Sequence, residues 1–249
     1  MNIKFEFPQR RFVITGATSG IGKRITVDLI NSGATVLAIG RRIERLNELK
    51  ETYKDKIVPA AIDVNDFEAL KNEIESFALD GKINGSVHCA GINKFTPLRA
   101  FNWKDAEQII KTTLYAGIEL IKIVSSKKIT AEKGSHVLLA SVAGIKGETG
   151  FTAYSAAKSA VIGVVKTLAL ELAIKDLRVN SITPGWIPTE LTDGINARYP
   201  GQMDTIKLEH PLGIGSVEDV SNLVMFLLSD EAKWITGSNI VIDGGYSIK

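Results

Sequence analysis

Short apolar segments alternate with longer helical patterns along the whole chain, and this alternation constrains the fold more than any other feature. Each short segment is bounded by Gly, Asp, Asn or Pro, and its continuous apolar character predicts a strand covered on both faces. The predicted strands are residues 11–15, 35–39, 57–61, 85–89, 135–140, 178–182 and 239–242.

The segments between these strands have helical periodicity. Asp66 and Ser216 are suited to capping helix N-termini, and Gly33 is suited to a helix end. Short units in which strand and helix alternate predict an α/β fold, a Rossmann-like doubly wound parallel sheet of about seven strands with helices on both faces. The predicted helices are residues 20–31, 43–54, 66–78, 103–126, 152–174 and 217–228.

The chain has no Pro/Ser-rich linker, repeat or low-complexity tract, which predicts one domain over residues 1–249. Residues 187–215 differ, because Pro, Gly and charged residues dominate there. A connection of this length is expected to act as a lid over a substrate rather than as a tight turn.

Charge and composition exclude several classes of function. The 30 basic and 28 acidic residues give a net charge of +2, which offers no basis for a nucleic-acid or membrane partner. The sequence contains no apolar stretch long enough to span a bilayer and no signal-peptide pattern. The single cysteine, Cys89, fits a reducing compartment, and the three histidines lack metal-ligand spacing. We therefore expect a cytoplasmic protein without a bound metal.

A glycine-rich turn from Thr15 to Gly22 follows the first predicted strand and opens the first helix. Its free backbone N–H groups and the positive end of the helix dipole suit a pyrophosphate. An ordinary glycine-rich turn is the alternative. The residues expected to contact a dinucleotide here are Gly16, Thr18, Ser19, Gly20, Ile21 and Gly22.

The end of the second strand indicates which dinucleotide binds. An NAD site usually places Asp or Glu there to bind the adenosine ribose hydroxyls, but Gly40 stands in that place and no acid is adjacent in sequence. Arg41 and Arg42 follow, and a guanidinium suits a ribose 2′-phosphate. The sequence therefore favours NADP(H) over NAD(H), although the arginines could simply be solvated. Asp63-Val64 could reach the adenine, or Asp63 could cap a helix.

Tyr154 and Lys158 are four residues apart, so they lie on the same face of a predicted helix. A nearby ammonium lowers the pKa of a phenol from its usual value of about 10. The Ser141 hydroxyl, upstream, could hydrogen-bond a substrate oxygen. The three groups together could transfer a proton to or from that oxygen. A helix that carries Tyr and Lys by chance is the alternative.

Taken together, these motifs resemble the short-chain dehydrogenase/reductase family in its single-domain form, over essentially the whole chain. The similarity is greatest to 3-oxoacyl-carrier-protein-reductase-like carbonyl reductases. The matching segments, in family order, are TGATSGIG at 15–22, Ala90-Gly91, Ser141, YSAAK at 154–158, Pro184-Gly185 and IDGG at 242–245.

The resemblance implies a role for each matching residue. Tyr154 would be the general acid in reduction and the general base in oxidation, and Ser141 would orient the carbonyl oxygen. Lys158 would hold the nicotinamide ribose and lower the pKa of Tyr154. Further cofactor contacts are implied for Ala90, Gly91, Pro184, Gly185, Ile187 and Thr189.

The chain departs from the family pattern at two places. His88-Cys89 replaces the usual Asn-Asn, and we interpret His88 as a structural hydrogen-bonding residue and Cys89 as unreactive, rather than as catalytic groups. Thr113 aligns with a family Asn that holds a water behind the lysine, although Thr112 is adjacent. We expect Thr113 to keep a water-mediated proton relay working.

The substrate pocket is expected from three segments, Lys94–Phe95, 144–149 and 187–215. Ile195, Tyr199 and Met203 would make it apolar and aromatic. Lys94, Arg198 and Lys207 could attract an acidic substrate, with solvated surface charges as the alternative. Trp186 could lie beside the nicotinamide or in the core.

The helix at 152–174 is apolar on more than one face. One face can pack on the sheet, which leaves another for a second copy of the chain. Since family members usually pair through this helix, the sequence predicts a homo-oligomer, a tetramer or a dimer.

The predicted function is NADP(H)-dependent hydride transfer between nicotinamide and a ketone or secondary alcohol, in the direction of carbonyl reduction. One alternative is an NAD(P)-dependent alcohol dehydrogenase of the same family. Another is a cofactor-binding regulator that keeps the fold without turnover.

Overall fold

A computed structural model describes residues 4–192 and 202–249, with the side chains of 202–204 left out. Its centre is a seven-stranded, wholly parallel sheet with strand order β3-β2-β1-β4-β5-β6-β7. The strands are β1 Arg11–Thr15, β2 Thr35–Gly40, β3 Ile57–Ala61, β4 Ile83–His88, β5 Thr130–Leu139, β6 Arg178–Pro184 and β7 Asn239–Ile242. The predicted doubly wound parallel sheet is confirmed.

Helices cover both faces of this sheet. They are α1 Gly20–Asn31, α2 Ile43–Tyr53, α3 Phe67–Leu79, α4 Trp103–Ile110, α5 Ala116–Val124, α6 Thr152–Ala173, α7 Gln202–Glu209 and α8 Val217–Leu228. Alternate residues of β1 explain the two layers: Phe12 and Ile14 pack with α1, α2 and α8, while Val13 packs with α3 and α5. Because both faces are covered, the strands are apolar without alternation.

Two strands begin earlier than the apolar pattern predicts. β4 starts at Ile83, and β5 starts at Thr130 rather than at residue 135. Ile83 pairs with Thr130, and an irregularity then precedes the pairing of Gly85 with Ser135. The first residues of β5 are polar and join the sheet through backbone pairing, which an apolar pattern cannot report.

The helix predicted at 103–126 contains an interruption. Residues Lys111–Tyr115 form a single π-helical turn between α4 and α5. Such turns occur often at functional sites, and this one carries Thr112 and Thr113.

The predicted caps are present. The Asp66 carboxylate accepts the Ala69 N–H at 3.0 Å, and Ser216 forms a reciprocal capping box with Asp219. Gly33 lies just beyond the end of α1 with φ +94°, a conformation that suits glycine.

The region expected to form the lid is described in part. Ile195, Arg198 and Tyr199 lie outside the described residues, as does the side chain of Met203. α7 occupies the second half of this region. In the described ranges, no helix is long and apolar enough to cross a membrane.

Candidate active site

A cleft of about 460 Å³ opens at the carboxyl ends of the first four strands. A Cβ on Gly16 would lie 2.8 Å from the Ala90 nitrogen, and one on Gly22 would lie 2.3 Å from the Gly16 carbonyl oxygen. Only glycine permits this close packing. Among the described residues the Ser19 side chain makes no capping hydrogen bond to α1, and Ser19 and the first residues of α1 line the cleft. The cleft therefore fits a pyrophosphate.

Every residue that the sequence assigns to the cofactor lines this cleft or the cavity beside it. The cleft includes Gly16, Thr18, Ser19, Gly20, Ile21, Gly22, Arg41, Arg42, Asp63, Val64, Ala90, Gly91 and Thr189. The neighbouring cavity includes Tyr154, Lys158, Pro184, Gly185, Ile187 and again Ile21 and Thr189.

An acidic residue lies among the arginines at the end of β2. The Glu190 carboxylate forms ion pairs with both Arg42 and Arg45. Arg42 also donates to the Thr18 hydroxyl at 3.1 Å. The Arg41 guanidinium makes no ion pair with the described residues. Sequence reasoning missed Glu190 because it follows β6, far along the chain from β2.

Asp63 does not cap a helix. Its carboxylate accepts hydrogen bonds from the backbone N–H and the side-chain amide of Asn65, both at 2.9 Å. Asp66 caps α3 instead. Asp63 thus shapes the turn at the adenosine end of the cleft.

Ser141 and Tyr154 meet at the junction of the cleft and the cavity. Ser141 lies just after β5 and lines the same cavity as Tyr154 of α6, and its hydroxyl is close enough to lower the pKa of the Tyr154 phenol. The loop after Ser141 is pressed onto α6, because a Cβ on Gly144 would lie 2.9 Å from the Lys158 carbonyl carbon and Ser159 donates to the Gly144 carbonyl. This packing aligns the two hydroxyls.

The pKa of Tyr154 is shifted by burial and by two neighbouring groups. Burial raises it to about 12, the Ser141 hydroxyl lowers it, and the Glu148 carboxylate raises it. The Lys158 Nζ lies 5.6 Å from the tyrosine ring centre and donates to the Leu139 carbonyl at 2.6 Å. Lys158 is not among the groups that shift this pKa, so its effect on the phenolate stays a prediction.

Lys158 is itself perturbed. It is 6% exposed, and burial lowers its pKa to about 8. A buried ammonium with one carbonyl partner keeps further N–H donors available, and it lines the cavity beside Tyr154.

The π turn places Thr113 behind Lys158. A Cβ on Gly91 would lie 3.7 Å from the Thr113 hydroxyl and 3.8 Å from the Lys158 Nζ. The Thr113 hydroxyl is buried and has no hydrogen-bond partner among the residues that the structure describes. Thr112, by contrast, accepts from the Asn65 amide at 2.9 Å. The geometry thus agrees with the alignment of Thr113, not Thr112, beside the lysine.

His88 and Cys89 have structural environments. Both His88 ring nitrogens are engaged, with the Thr15 hydroxyl at 2.9 Å and the Thr112 carbonyl at 3.0 Å. Burial lowers the pKa of His88 to about 4 and raises the pKa of the Cys89 thiol to about 12. A neutral, fully bonded imidazole and a protonated thiol agree with the non-catalytic interpretation.

The second cavity, of about 390 Å³, joins the cleft through Ile21, Leu139 and Thr189 and contains Tyr154. The part of the predicted pocket at 147–149 lines it. Lys94 and Phe95 do not: Lys94 pairs with Asp105 at 2.6 Å, and Phe95 packs against Phe151. Lys207 also lies outside it, whereas Trp186 lines the wall.

Sequence reasoning missed a polar group on the far wall of the cavity. Glu148 lies beside Tyr246, which lowers the pKa of the carboxyl, and the Tyr246 ring stacks on His210 with centroids 4.6 Å apart. The His210 Nδ1 donates to the Ile206 carbonyl, which leaves its Nε2 to accept the Trp186 N–H at 3.3 Å. Tyr246 follows Gly244-Gly245, both with positive φ, so a turn there was a usable signal.

Comparisons with known proteins agree with this geometry. The family described as "Enoyl-(Acyl carrier protein) reductase" matches residues 16–247. The 3-oxoacyl-acyl-carrier-protein reductase of Thermotoga maritima is 36% identical over 95% of this chain and 97% of its own. The corresponding reductase of Rickettsia conorii is 33% identical over 94% of this chain and 95% of its own.

Solved structures share the fold. A short-chain dehydrogenase/reductase, glucose/ribitol dehydrogenase, from Brucella melitensis has a TM-score of 0.91 at 29% identity, covering 98% of this chain and 99% of its own. A 4-hydroxyisoleucine dehydrogenase complexed with NADH has a TM-score of 0.89 at 32% identity, covering 97% of this chain and 100% of its own.

Proposed function

The chain belongs to the short-chain dehydrogenase/reductase family of oxidoreductases, and from this premise we propose that it is an NADP(H)-dependent reductase of ketones. The observation that carries the proposal is the position of the Tyr154 phenol beside Ser141, where the nucleotide cleft meets a cavity for a second molecule. A proton donor at this junction suits a carbonyl oxygen.

The chain's own residues perform the proton chemistry. Tyr154, protonated at neutral pH because its pKa is about 12, gives its proton to the carbonyl oxygen. Ser141 donates a hydrogen bond to the same oxygen and stabilises the developing negative charge. Lys158 carries a positive charge that favours the resulting phenolate. The dinucleotide, when bound, supplies the hydride.

Two groups of residues support NADP(H) as the cofactor. Gly16 and Gly22 allow close approach of a pyrophosphate, as described above. Arg41 and Arg42 line the adenosine end of the cleft, where guanidinium groups suit a 2′-phosphate.

We propose 3-oxoacyl thioesters as the substrate class, since the 3-oxoacyl-acyl-carrier-protein reductases cover nearly the full chain at 30–36% identity. The test is NADPH oxidation over a panel of 3-oxoacyl thioesters, 3-keto-esters and simple ketones. We expect turnover of the thioesters to be lost in Tyr154→Phe while NADPH still binds. No turnover of any ketone by the wild type would overturn the proposal.

A second candidate is an NAD(H)-dependent dehydrogenase of hydroxylated substrates. Glu190 favours it, because this acid lies at the adenosine corner that an NAD site supplies with Asp or Glu. Alcohol oxidation with NAD⁺ that is faster than ketone reduction with NADPH would support this candidate. The third hypothesis, a regulator without turnover, is disfavoured because Ser141, Tyr154 and Lys158 all line the cavity beside the cleft.

We also infer that the chain forms a homo-oligomer. Leu170 and Ile174 at the end of α6 are 79% and 87% exposed, and Trp234 is 96% exposed. Large exposed apolar side chains of this kind are typical of a contact surface. Light scattering at micromolar concentration should give a dimer or a tetramer, and a monomer would contradict the inference.

A further inference from the structure

We propose that Glu190 determines the choice between NADP(H) and NAD(H): its carboxylate is paired with Arg42, which a 2′-phosphate would use, as well as with Arg45, and must be displaced from Arg42 for the phosphate of NADP(H) to bind there. This inference rests on the proposed function, since it concerns the adenosine end of the same nucleotide cleft.

The position of Glu190 supports competition with a phosphate. One carboxylate oxygen contacts the Arg42 Nη1 and the other contacts the Arg45 Nη1. A carboxylate whose two oxygens contact two guanidinium groups uses N–H donors that the oxygens of a phosphate would otherwise bind. Glu190, Arg42 and Arg41 all line the cleft, so a 2′-phosphate directed at these arginines meets the carboxylate.

The backbone holds Glu190 at this corner. Its neighbour Thr189 lies against the glycine turn, since a Cβ on Gly20 would be 3.0 Å from the Thr189 Cγ2. The Thr189 N–H is in turn bonded to the Thr192 hydroxyl at 2.9 Å. Glu190 is therefore fixed beside the pyrophosphate turn, and only its side chain has to move to release the arginines.

The charge of Glu190 determines which dinucleotide binds more tightly. The two arginines lower the pKa of Glu190, so it is ionised at neutral pH. A 2′-phosphate adds close to two negative charges and repels this carboxylate. The 2′-hydroxyl of NAD(H) instead donates to a carboxylate, which is the role of the acid usually found at the end of β2. Glu190 thus opposes NADP(H) and supports NAD(H).

The test is a titration of NADPH and NADH by their own fluorescence with wild-type protein, Glu190→Gln and a control. The control is Glu218→Gln, which removes a carboxylate of similar exposure that pairs with Arg24 outside the cleft. Exposed ion pairs contribute about 0.2–1 kcal/mol each, so losing two should lower the Kd for NADPH about fivefold in Glu190→Gln. The Kd for NADH should not fall, and Glu218→Gln should bind both like the wild type.

Weaker or unchanged NADPH binding in Glu190→Gln would overturn the inference, because Glu190 would then only position the arginines. If the wild type binds NADPH and reduces ketones in that case, the proposed function stands alone. If the wild type binds neither dinucleotide, both fail. Arg42→Gln added to Glu190→Gln should weaken NADPH binding more than Arg42→Gln does in the wild type, since Arg42 released from Glu190 then binds the phosphate.

Discussion

The His88 imidazole and the Thr112 carbonyl are joined by a hydrogen bond of 3.0 Å between the helix layer and β4. Thr112 belongs to the π turn between α4 and α5, and the other His88 nitrogen is held by Thr15 of β1. The histidine therefore secures the widened turn against the sheet, and the next residue, Thr113, faces Lys158.

Thr113→Val should slow ketone reduction. The valine keeps the shape of the buried site but removes the hydroxyl behind Lys158, so we expect kcat to fall by about 10²-fold if a bound water replaces the proton of Tyr154 through this group. The measurement is kcat across pH. Thr112→Val is the matched control, since its hydroxyl serves Asn65 and not Lys158. Unchanged turnover in Thr113→Val would refute the relay.

Stability should fall in mild acid because of two buried histidines. Burial lowers the pKa of His88 and of His136 to about 4, while in the unfolded chain each titrates at about 6.5. Below pH 6.5 the two histidines are protonated in the unfolded state but stay neutral in the folded state. The free energy of unfolding therefore declines until about pH 4. Each histidine contributes about 3 kcal/mol to this decline.

Urea unfolding of the wild type and of His136→Leu between pH 4 and pH 8 measures this effect. The variant should show a smaller decline towards acid than the wild type. Equal pH dependence in the two proteins would contradict the buried, neutral state of His136.

Glu148→Gln should move the alkaline limb of the reductase profile to lower pH. The Glu148 carboxylate raises the pKa of Tyr154, and reduction requires the protonated phenol, so activity declines as pH rises through that pKa. Removing the charge lowers the pKa, which brings the decline to lower pH and favours alcohol oxidation at a given pH.

The profile of kcat/KM from neutral to strongly alkaline pH tests this shift. Glu209→Gln is the control, because Glu209 raises the pKa of Glu148 and Tyr246 but is not among the groups that act on Tyr154. If kcat/KM of Glu148→Gln declines at the same alkaline pH as that of the wild type, the charge of Glu148 does not raise the pKa of the Tyr154 phenol.

Alanine should have opposite effects at two glycines. At Gly22 the new Cβ meets the Gly16 carbonyl oxygen at 2.3 Å, so Gly22→Ala should cost about 1–3 kcal/mol and abolish dinucleotide binding. At Gly163, inside α6, none of the described residues comes within 4 Å of the new Cβ, and Gly163→Ala should stabilise by about 0.5–1 kcal/mol. Urea unfolding and NADPH titration of both variants give the comparison. Normal NADPH binding by Gly22→Ala would show that dinucleotide binding does not depend on the close approach of Gly22 to the Gly16 carbonyl.

Sequence patterns predicted the structure best where a residue's role depends on its near neighbours in the chain. The bounds of α1, α8, β1, β3 and β7 match the prediction residue for residue, because apolar runs, caps and glycine turns act over a few neighbours. The start of β5 was missed, since its polar residues enter the sheet only through pairing with Ile83. The π turn was missed as well, because no residue pattern within 103–126 indicates it and its hydrogen bond to His88 joins it to another element.

The same holds for the candidate site: its local motifs were predicted, whereas contacts between distant residues were not. Ser141, Tyr154, Lys158 and the glycine turn were recognisable from motifs, since proton transfer and phosphate binding need those residue types at that spacing. The Lys94–Phe95 contribution to the cavity was predicted wrongly: nothing in the sequence shows that Asp105 holds Lys94 or that Phe95 packs against Phe151.

The sequence by itself determined the parallel sheet, the glycine cradle and the Ser–Tyr–Lys group, because each depends on side chains and backbone conformations specified within a short stretch. Only the tertiary structure decided the electrostatics. Burial raises the pKa of Tyr154 to about 12, and the path of the chain after β6 brings the Glu190 carboxylate onto Arg42 and Arg45. Desolvation and charge pairing depend on which distant residues meet, and that is settled only when the chain folds.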